Sequence, residues 1–199
     1  MRSENLLHLN HLFPGRDAPT ARAGYAFAFS IFRDHDAGMA IRQIGQDEWE
    51  TARTVRLDAL AGSPPGTFAA THAEASTWDE QQWRQWTERR ALFIAERDGA
   101  PVGSAGGIVT EGKAELVSMW TAPVVRGTGV SDRLVRAVAA WALVGGYPEL
   151  RLWFVEGNEH AEKLYRRNGF VRTGRERPYA ADDPRPEHEM MLLLAVTDR

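Results

Sequence analysis

The stretch from Val117 to Ser131, VSMWTAPVVRGTGVS, constrains the chain more than any other. It reads as an apolar strand that stops at Pro123, a turn holding Gly127 and Gly129, and the opening of an amphipathic helix. That helix carries Val130, Leu134, Val135, Val138, Trp141 and Ala142 at helical spacing. A helix N-terminus leaves its first N–H groups without intrahelical partners, so such a turn suits a phosphate or pyrophosphate. It is not a P-loop, because no Lys-Ser/Thr pair follows the glycines. It is not a full G-x-G-x-x-G either, because Asp132 stands where the third glycine belongs. The alternative is a glycine turn that binds nothing, and the short pattern does not decide between the two.

The flanking segments place this stretch in a sheet. Ala91–Glu96, Pro101–Thr110 and Ala114–Thr121 read as three strands joined by turns at Asp98-Gly99 and Glu111-Gly112-Lys113. They predict an antiparallel meander. Glycines 103, 106 and 107 inside the second strand predict a bulge or the close approach of another element. Gly145-Gly146 ends the helix, and Leu150–Val155 is a buried strand. A helix separates it from the preceding strand, so the pair should be parallel, with a right-handed crossover.

Asn158–Asn168 reads as another helix, closed by Gly169. Phe170–Arg175 and Glu187–Ala195 read as two last strands, joined by a polar loop over Pro178–Pro186. Upstream, Ala40–Ile44 is a strand and Asp47 a helix N-cap, and that helix ends at the breaker cluster Gly62–Gly66. Thr67–Ser76 is a loop or one short helical turn, and Asp79–Arg90 a second helix. The order β-α-α-β-β-β-α-β-α-β-β predicts a mixed α/β fold, with a sheet partly antiparallel and partly parallel.

Composition narrows the function. The chain has 199 residues, a net charge of -3 and no cysteine. Disulfides, thiolate metal sites and a cysteine nucleophile are excluded, and no metal site is expected. A near-neutral chain offers no field for nucleic acid. No apolar run is long enough for a transmembrane helix; Gly24–Phe32 is the nearest and is too short. A cytoplasmic location, with no membrane partner, is expected. Residues 1–38 differ in composition and lack helical period, so they read as a poorly ordered extension before a domain at 39–199.

Two motifs together carry a family resemblance: the strand-Pro-x-x-Arg-Gly-x-Gly turn, and Asn158-x-x-Ala161-x-x-Leu164-Tyr165-x-x-x-Gly169-Phe170. With the order of elements over residues 40–195, they resemble the GNAT superfamily of acyl-CoA-dependent N-acetyltransferases. The resemblance implies a centrally splayed sheet and acetyl-CoA as acetyl donor. It implies that Arg126, Gly127, Thr128, Gly129, Val130 and Ser131 hold the coenzyme A pyrophosphate. Ser131 departs from the family pattern, which has Gly or Ala there. The backbone of Met119, Trp120 and Thr121 would hold the pantetheine and the thioester carbonyl. Asn158 and Ala161 would contact the cofactor arm, Asn158 doubling as a helix N-cap.

Acetyl transfer needs a polarised carbonyl, a neutral amine and a protonated leaving thiol. Tyr165 matches the family's general acid; its alternative is an amphipathic core tyrosine. Glu115 is the candidate base, sharing a face with Val117 and Met119. Its alternative is a solvated carboxylate beside Lys113. His72, Glu74, His160 and His188 are further bases by residue type, each with a plain solvated reading. Asp132 reads as a first-turn acid favouring the helix dipole. Trp49, Trp78, Trp83 and Trp86 read as helix packing before acceptor pocket. The acceptor is an amine of unread identity, on a small molecule or a peptide. The rival function is a non-catalytic acyl-CoA-binding sensor or interaction module. The apolar last strand suggests a homodimer.

Overall fold

Alternation of side chains decides how the sheet is covered. In β2 (Ala91–Arg97), Ala91, Phe93 and Ala95 enter one core, while Leu92 and Ile94 enter a second. Both faces of the strand are therefore buried, which explains its continuous apolar run. The computed structural model describes residues 38–64, 66–68, 70–180 and 183–194. The expectation for the N-terminal extension falls on residues outside these.

The seven strands are β1 (Met39–Ile44), β2, β3 (Ala100–Thr110), β4 (Lys113–Thr121), β5 (Glu149–Val155), β6 (Val171–Ala180) and β7 (Asp183–Leu193). They form one sheet in the order β1-β2-β3-β4-β5-β7-β6. Strands β1 to β4 are an antiparallel meander, as read from the turns. Only β4 and β5 run parallel. The helices are α1 (Trp49–Ala61), α2 (His72–Ser76), α3 (Glu80–Glu88), α4 (Val130–Val144) and α5 (Glu159–Arg167).

The larger core lies between the sheet and α4 and α5. Val130, Leu134, Val135 and Val138 of α4 are all buried there. Burying four such side chains contributes about 6–12 kcal/mol as an upper bound. Gly107 lets α4 come this close: a Cβ on it would overlap the Trp141 ring. The smaller core, with Ile44, Val55, Ile94 and Trp120, lies under α1 on the opposite face. Among the described residues no helix is long and apolar enough to cross a membrane.

Two local expectations are corrected, and one left open is decided. Asp47 is not an N-cap: Gln46–Glu48 form a 3-10 turn, and the α-helix starts at Trp49 with no side-chain cap. Asp47 instead pairs with Arg84 of α3 at 3.3 Å. Of the two alternatives for Thr67–Ser76, the short helical turn forms, at residues 72–76, where Thr71 and Glu74 make a reciprocal capping box. The Pro178–Pro186 loop is mostly strand: Pro178 pairs with Pro186 across β6 and β7. Prolines are tolerated there because β6 is an edge strand. Pro186 offers only its carbonyl, which accepts from Glu156 N–H at 2.9 Å.

Candidate active site

The site starts from an interruption in β4. This strand pairs with β5 only at Ala114↔Leu150 and Glu115↔Arg151, and the two separate beyond that point. On its other side β4 carries a bulge. Ser104 pairs with Trp120 and Gly106 with Val117, so the single residue Ala105 faces both Ser118 and Met119. Ser118 takes φ 55, a left-handed conformation that side chains adopt at a cost. The Ser104 hydroxyl holds it by donating to the Ser118 carbonyl at 3.2 Å. The result is an open wedge between parallel strands, with a β4 edge freed from the ladder.

Met119, Trp120 and Thr121 lie along this wedge. Met119 packs on the α4 core, while Trp120 is buried in the core under α1. Their side chains are spent on packing, which leaves the backbone to face a ligand. The Trp120 indole Nε1 is buried and has no partner among the described residues.

The turn after β4 is shaped by its hydrogen bonds. Pro123–Val125 form a 3-10 turn, and the Thr128 hydroxyl donates to the Val125 carbonyl at 2.7 Å. The Thr128 N–H donates to the same carbonyl at 3.4 Å, so both Thr128 donors are used inside the turn and the expected Thr128 contact to a ligand is not prepared. Gly127 and Gly129 have φ 78 and φ 83. Gly129 caps α4 with no side-chain hydrogen bond, whereas Thr71, Asp79 and Asn158 cap α2, α3 and α5 with theirs. A Cβ on Gly127 or Gly129 would meet no atom within 4 Å. The first N–H groups of α4, at Val130 and Ser131, thus follow a turn with open space at both glycines, and Arg126 in that turn is exposed. These residues fit a diphosphate.

Asp132 does more than complement the dipole. Its carboxylate accepts from Arg167 at 2.6 and 2.9 Å and from Asn168 at 2.7 Å, tying α5 to the start of α4. The Arg167 guanidinium holds this carboxyl below its usual range. A fixed partner neutralises the one acid that would repel a phosphate here.

On α5, the Asn158 Oδ1 accepts from Ala161 N–H at 3.1 Å. The cap uses the Ala161 donor, and the Asn158 amide group remains for a ligand. Tyr165 packs on Phe170 with ring centroids 5.8 Å apart and is 6% exposed. Burial pushes its phenol pKa above the ordinary value. Its hydroxyl makes no hydrogen bond with a described residue.

Glu115 is half-buried, not a solvated neighbour of Lys113. Burial pushes its carboxyl pKa up; Glu187 and Glu189 add to this, and Arg177 opposes it. The other candidates are placed differently. Glu74 is committed to the Thr71 cap, and His72 to Ser76. His160 is exposed. His188 is buried against Phe154, its Nδ1 3.1 Å from Glu176. Trp83 is fully buried between Trp78 and Trp86, as packing predicts, but Trp86 is only partly buried.

Sequence reasoning passed over three residues. Ser104 secures the bulge. Glu189, 2% exposed, gathers Thr173, Arg151 and Arg175 at 2.7, 3.0 and 3.1 Å on the sheet face shared with Glu115. Arg56 is buried on α1 between Val55 and Ala59. Its place on the apolar stripe of α1 was a readable signal.

A wedge along one strand and a glycine turn without a side-chain cap at its end have the shape that a long, phosphorylated ligand would need. The sequence profile of the acetyltransferase (GNAT) family matches residues 49–170, more than half of the chain. The chain belongs to this family and is an acetyltransferase. A GNAT-family acetyltransferase from Streptococcus pneumoniae superposes with a TM-score of 0.64 at 16% identity, covering 79% of this chain and 99% of that one. The structure of yncA from Salmonella typhimurium with its cofactor acetyl-CoA gives a TM-score of 0.64 at 16% identity, covering 82% and 98%. The ribosomal-protein-S18-alanine N-acetyltransferase of Escherichia coli gives 0.60 at 18% identity, covering 81% and 97%. At these identities the likeness is one of fold. A comparison with curated proteins finds no match.

Proposed function

We propose that this acetyltransferase moves the acetyl group of acetyl-CoA directly to a primary amine, in a ternary complex. The observation that carries the reading is the joint geometry of β4. Its freed edge lies in the wedge from β5, and its C-terminal end runs into the uncapped turn of α4. When bound, acetyl-CoA supplies an activated acyl group. Arg126 and the N–H groups of Gly127, Gly129, Val130 and Ser131 bind the diphosphate. The backbone of Met119 to Thr121 orients the pantetheine and polarises the carbonyl. Asn158 steadies the cofactor arm through its free amide. Tyr165, kept protonated by burial, donates its proton to the departing sulfur. Glu115 takes a proton from the amine, directly or through water. Its raised pKa brings it closer to the range in which a base works at neutral pH.

With no cysteine in the chain, an acetyl-cysteine route has no nucleophile. The test is coenzyme A release from acetyl-CoA against a broad amine panel, with mass spectrometry of the products. Acetylated amine formed at the rate of thiol release supports the reading. Tight acetyl-CoA binding with no amine-dependent thiol release refutes it and leaves a binding module.

A further inference from the structure

We infer that Arg56 and Arg90 form the anion-binding end of the acceptor site, and that the acceptor is an amino acid-sized amine that also carries a carboxylate. This deepens the proposed amine transfer and rests on it. One buried and one half-buried arginine lack a carboxylate partner among the described residues. Arg56 is 9% exposed, and its Nε has no partner among the described residues. Arg90 follows α3; it donates through Nη1 to the Trp86 carbonyl, and its Nε is likewise buried without a partner. Neither rests on a described carboxylate, whereas Arg42, Arg151, Arg167 and Arg175 each do.

Aromatic faces hold both groups. Arg56 lies 4.4 Å from the Phe68 ring centroid, and Arg90 3.8 Å from that of Trp86. Arg56 also lies 5.7 Å from the Trp86 ring, so the two guanidinium groups share that ring. Burial lowers the pKa of each to about 10, with the charge of Arg56 adding to the effect on Arg90. Both therefore stay charged at neutral pH. Stacking on rings offsets part of the cost of desolvating two like charges, but it supplies no hydrogen-bond acceptor. A planar carboxylate supplies both the charge and the acceptors.

The position of the pair points to the acceptor. The Arg90 Cδ lies 3.5 Å from where a Cβ on Gly106 would stand, and Val117 Cγ2 lies 3.2 Å from the same point. Gly106 and Val117 pair immediately before the Ser118 bulge. Arg90 thus lies over the β3–β4 pairing, at the level where β4 has already left β5 and on the sheet face opposite α4, and Arg56 reaches the same Trp86 ring. Glu115 is two residues earlier on that face of β4, about 7 Å along an extended strand. An amine directed toward Glu115 and a carboxylate directed toward the arginines fit one small molecule. Nearby, Asp183 is already neutralised by Arg185, which the α1–α2 loop meets at Gly66. Asp183 is therefore not the missing counter-charge.

The experiment compares the common L-amino acids with their carboxamides and decarboxylated amines, using the full chain and thiol release from acetyl-CoA. The best acid is expected to exceed its own carboxamide in kcat/KM by about 100-fold or more, because a site built for a charged group rejects the analogue lacking it. Arg56→Gln and Arg90→Gln each collapse that ratio to within about threefold of unity, while the KM for acetyl-CoA holds. Arg56→Lys restores part of the ratio. Carboxamides or plain amines acetylated as well as the acids would overturn the inference and leave the transfer reading intact. A ratio unchanged in variants that only melt earlier would also overturn it, since the arginines would then be structural. If no amine is acetylated, thermal shift of the coenzyme A-loaded protein decides. Stabilisation by an acid but not by its carboxamide, lost in Arg56→Gln, keeps the anion site although transfer has failed. No such difference overturns it.

Discussion

Replacing Tyr165 with phenylalanine removes one oxygen from a ring that is 6% exposed and packed on Phe170. The hydroxyl bonds to no described residue, so folding loses little. A change within about 0.5 kcal/mol is expected, or about 1–2 °C in Tm for a domain of this size. Catalysis loses far more. A positioned general acid contributes roughly 10²–10⁴-fold, about 2.7–5.4 kcal/mol of barrier. Burial raises the phenol pKa, so the group stays protonated throughout the assay range. The wild-type kcat should therefore show no falling limb from Tyr165 below about pH 10. The assay is thiol-release kinetics, with acetyl-CoA binding by calorimetry and Tm on the same samples. Expected is a loss of kcat of about 100-fold or more, with donor Kd within about threefold and Tm within about 2 °C. An unchanged kcat removes Tyr165 from the chemistry. An equal loss accompanied by a Tm drop above about 5 °C would show that the ring's packing, not its proton, mattered.

Three further outcomes follow from the site. Glu115→Gln should lower kcat/KM by about 100-fold and abolish its rise with pH through a pKa above the ordinary carboxyl value; a profile matching wild type would exclude Glu115 as base. Gly129→Ala forces a side chain to φ 83 and places a methyl group in the space before α4. It should cost about 1–2 kcal/mol of stability and raise the acetyl-CoA KM roughly tenfold, read by melting and by kinetics; an unchanged KM would count against the diphosphate site. Burial pushes the Glu189 carboxyl up, but bonds from Thr173 and Arg151 outweigh it and hold the pKa below the usual value. Its stabilisation is thus present above the unfolded-state pKa and lost as pH falls through the folded one. Glu189→Gln should lower Tm by about 6 °C at pH 7, for about 2 kcal/mol, and the gap should close in acid; a gap independent of pH would refute the ion-pair account.

The elements legible in advance were those with local signals. The β2–β4 meander was written in the turns at Asp98-Gly99 and Glu111-Gly112, and α4 in its apolar spacing. Where the reading erred, a tertiary contact had overridden a local rule. Pro178 and Pro186 signal a loop, yet they pair across two strands because one strand is an edge and the other needs only a carbonyl there. Asp47 is a good cap by type, but Arg84 draws it away. The Thr71–Glu74 capping box was readable and passed over.

For the site, the same division holds. The glycine turn, its helix without a side-chain cap and the Asn158–Tyr165 motif could be read from residues close in the chain, and the lack of a thiol nucleophile from composition. Long-range packing set the parting of β4 and β5 after Glu115, the Ser118 bulge held by Ser104, and the Asp132 tie between α5 and α4. Long-range packing also brought Arg90 from the end of α3 beside Val117 and Arg56 from α1 to the same Trp86 ring. Those facts depend on pairings between residues tens of positions apart, and burial there decides which charges find partners. The wedge that opens at Val117 is therefore written in the chain as a strand and a turn, and becomes a site only when β5 and α1 close around it.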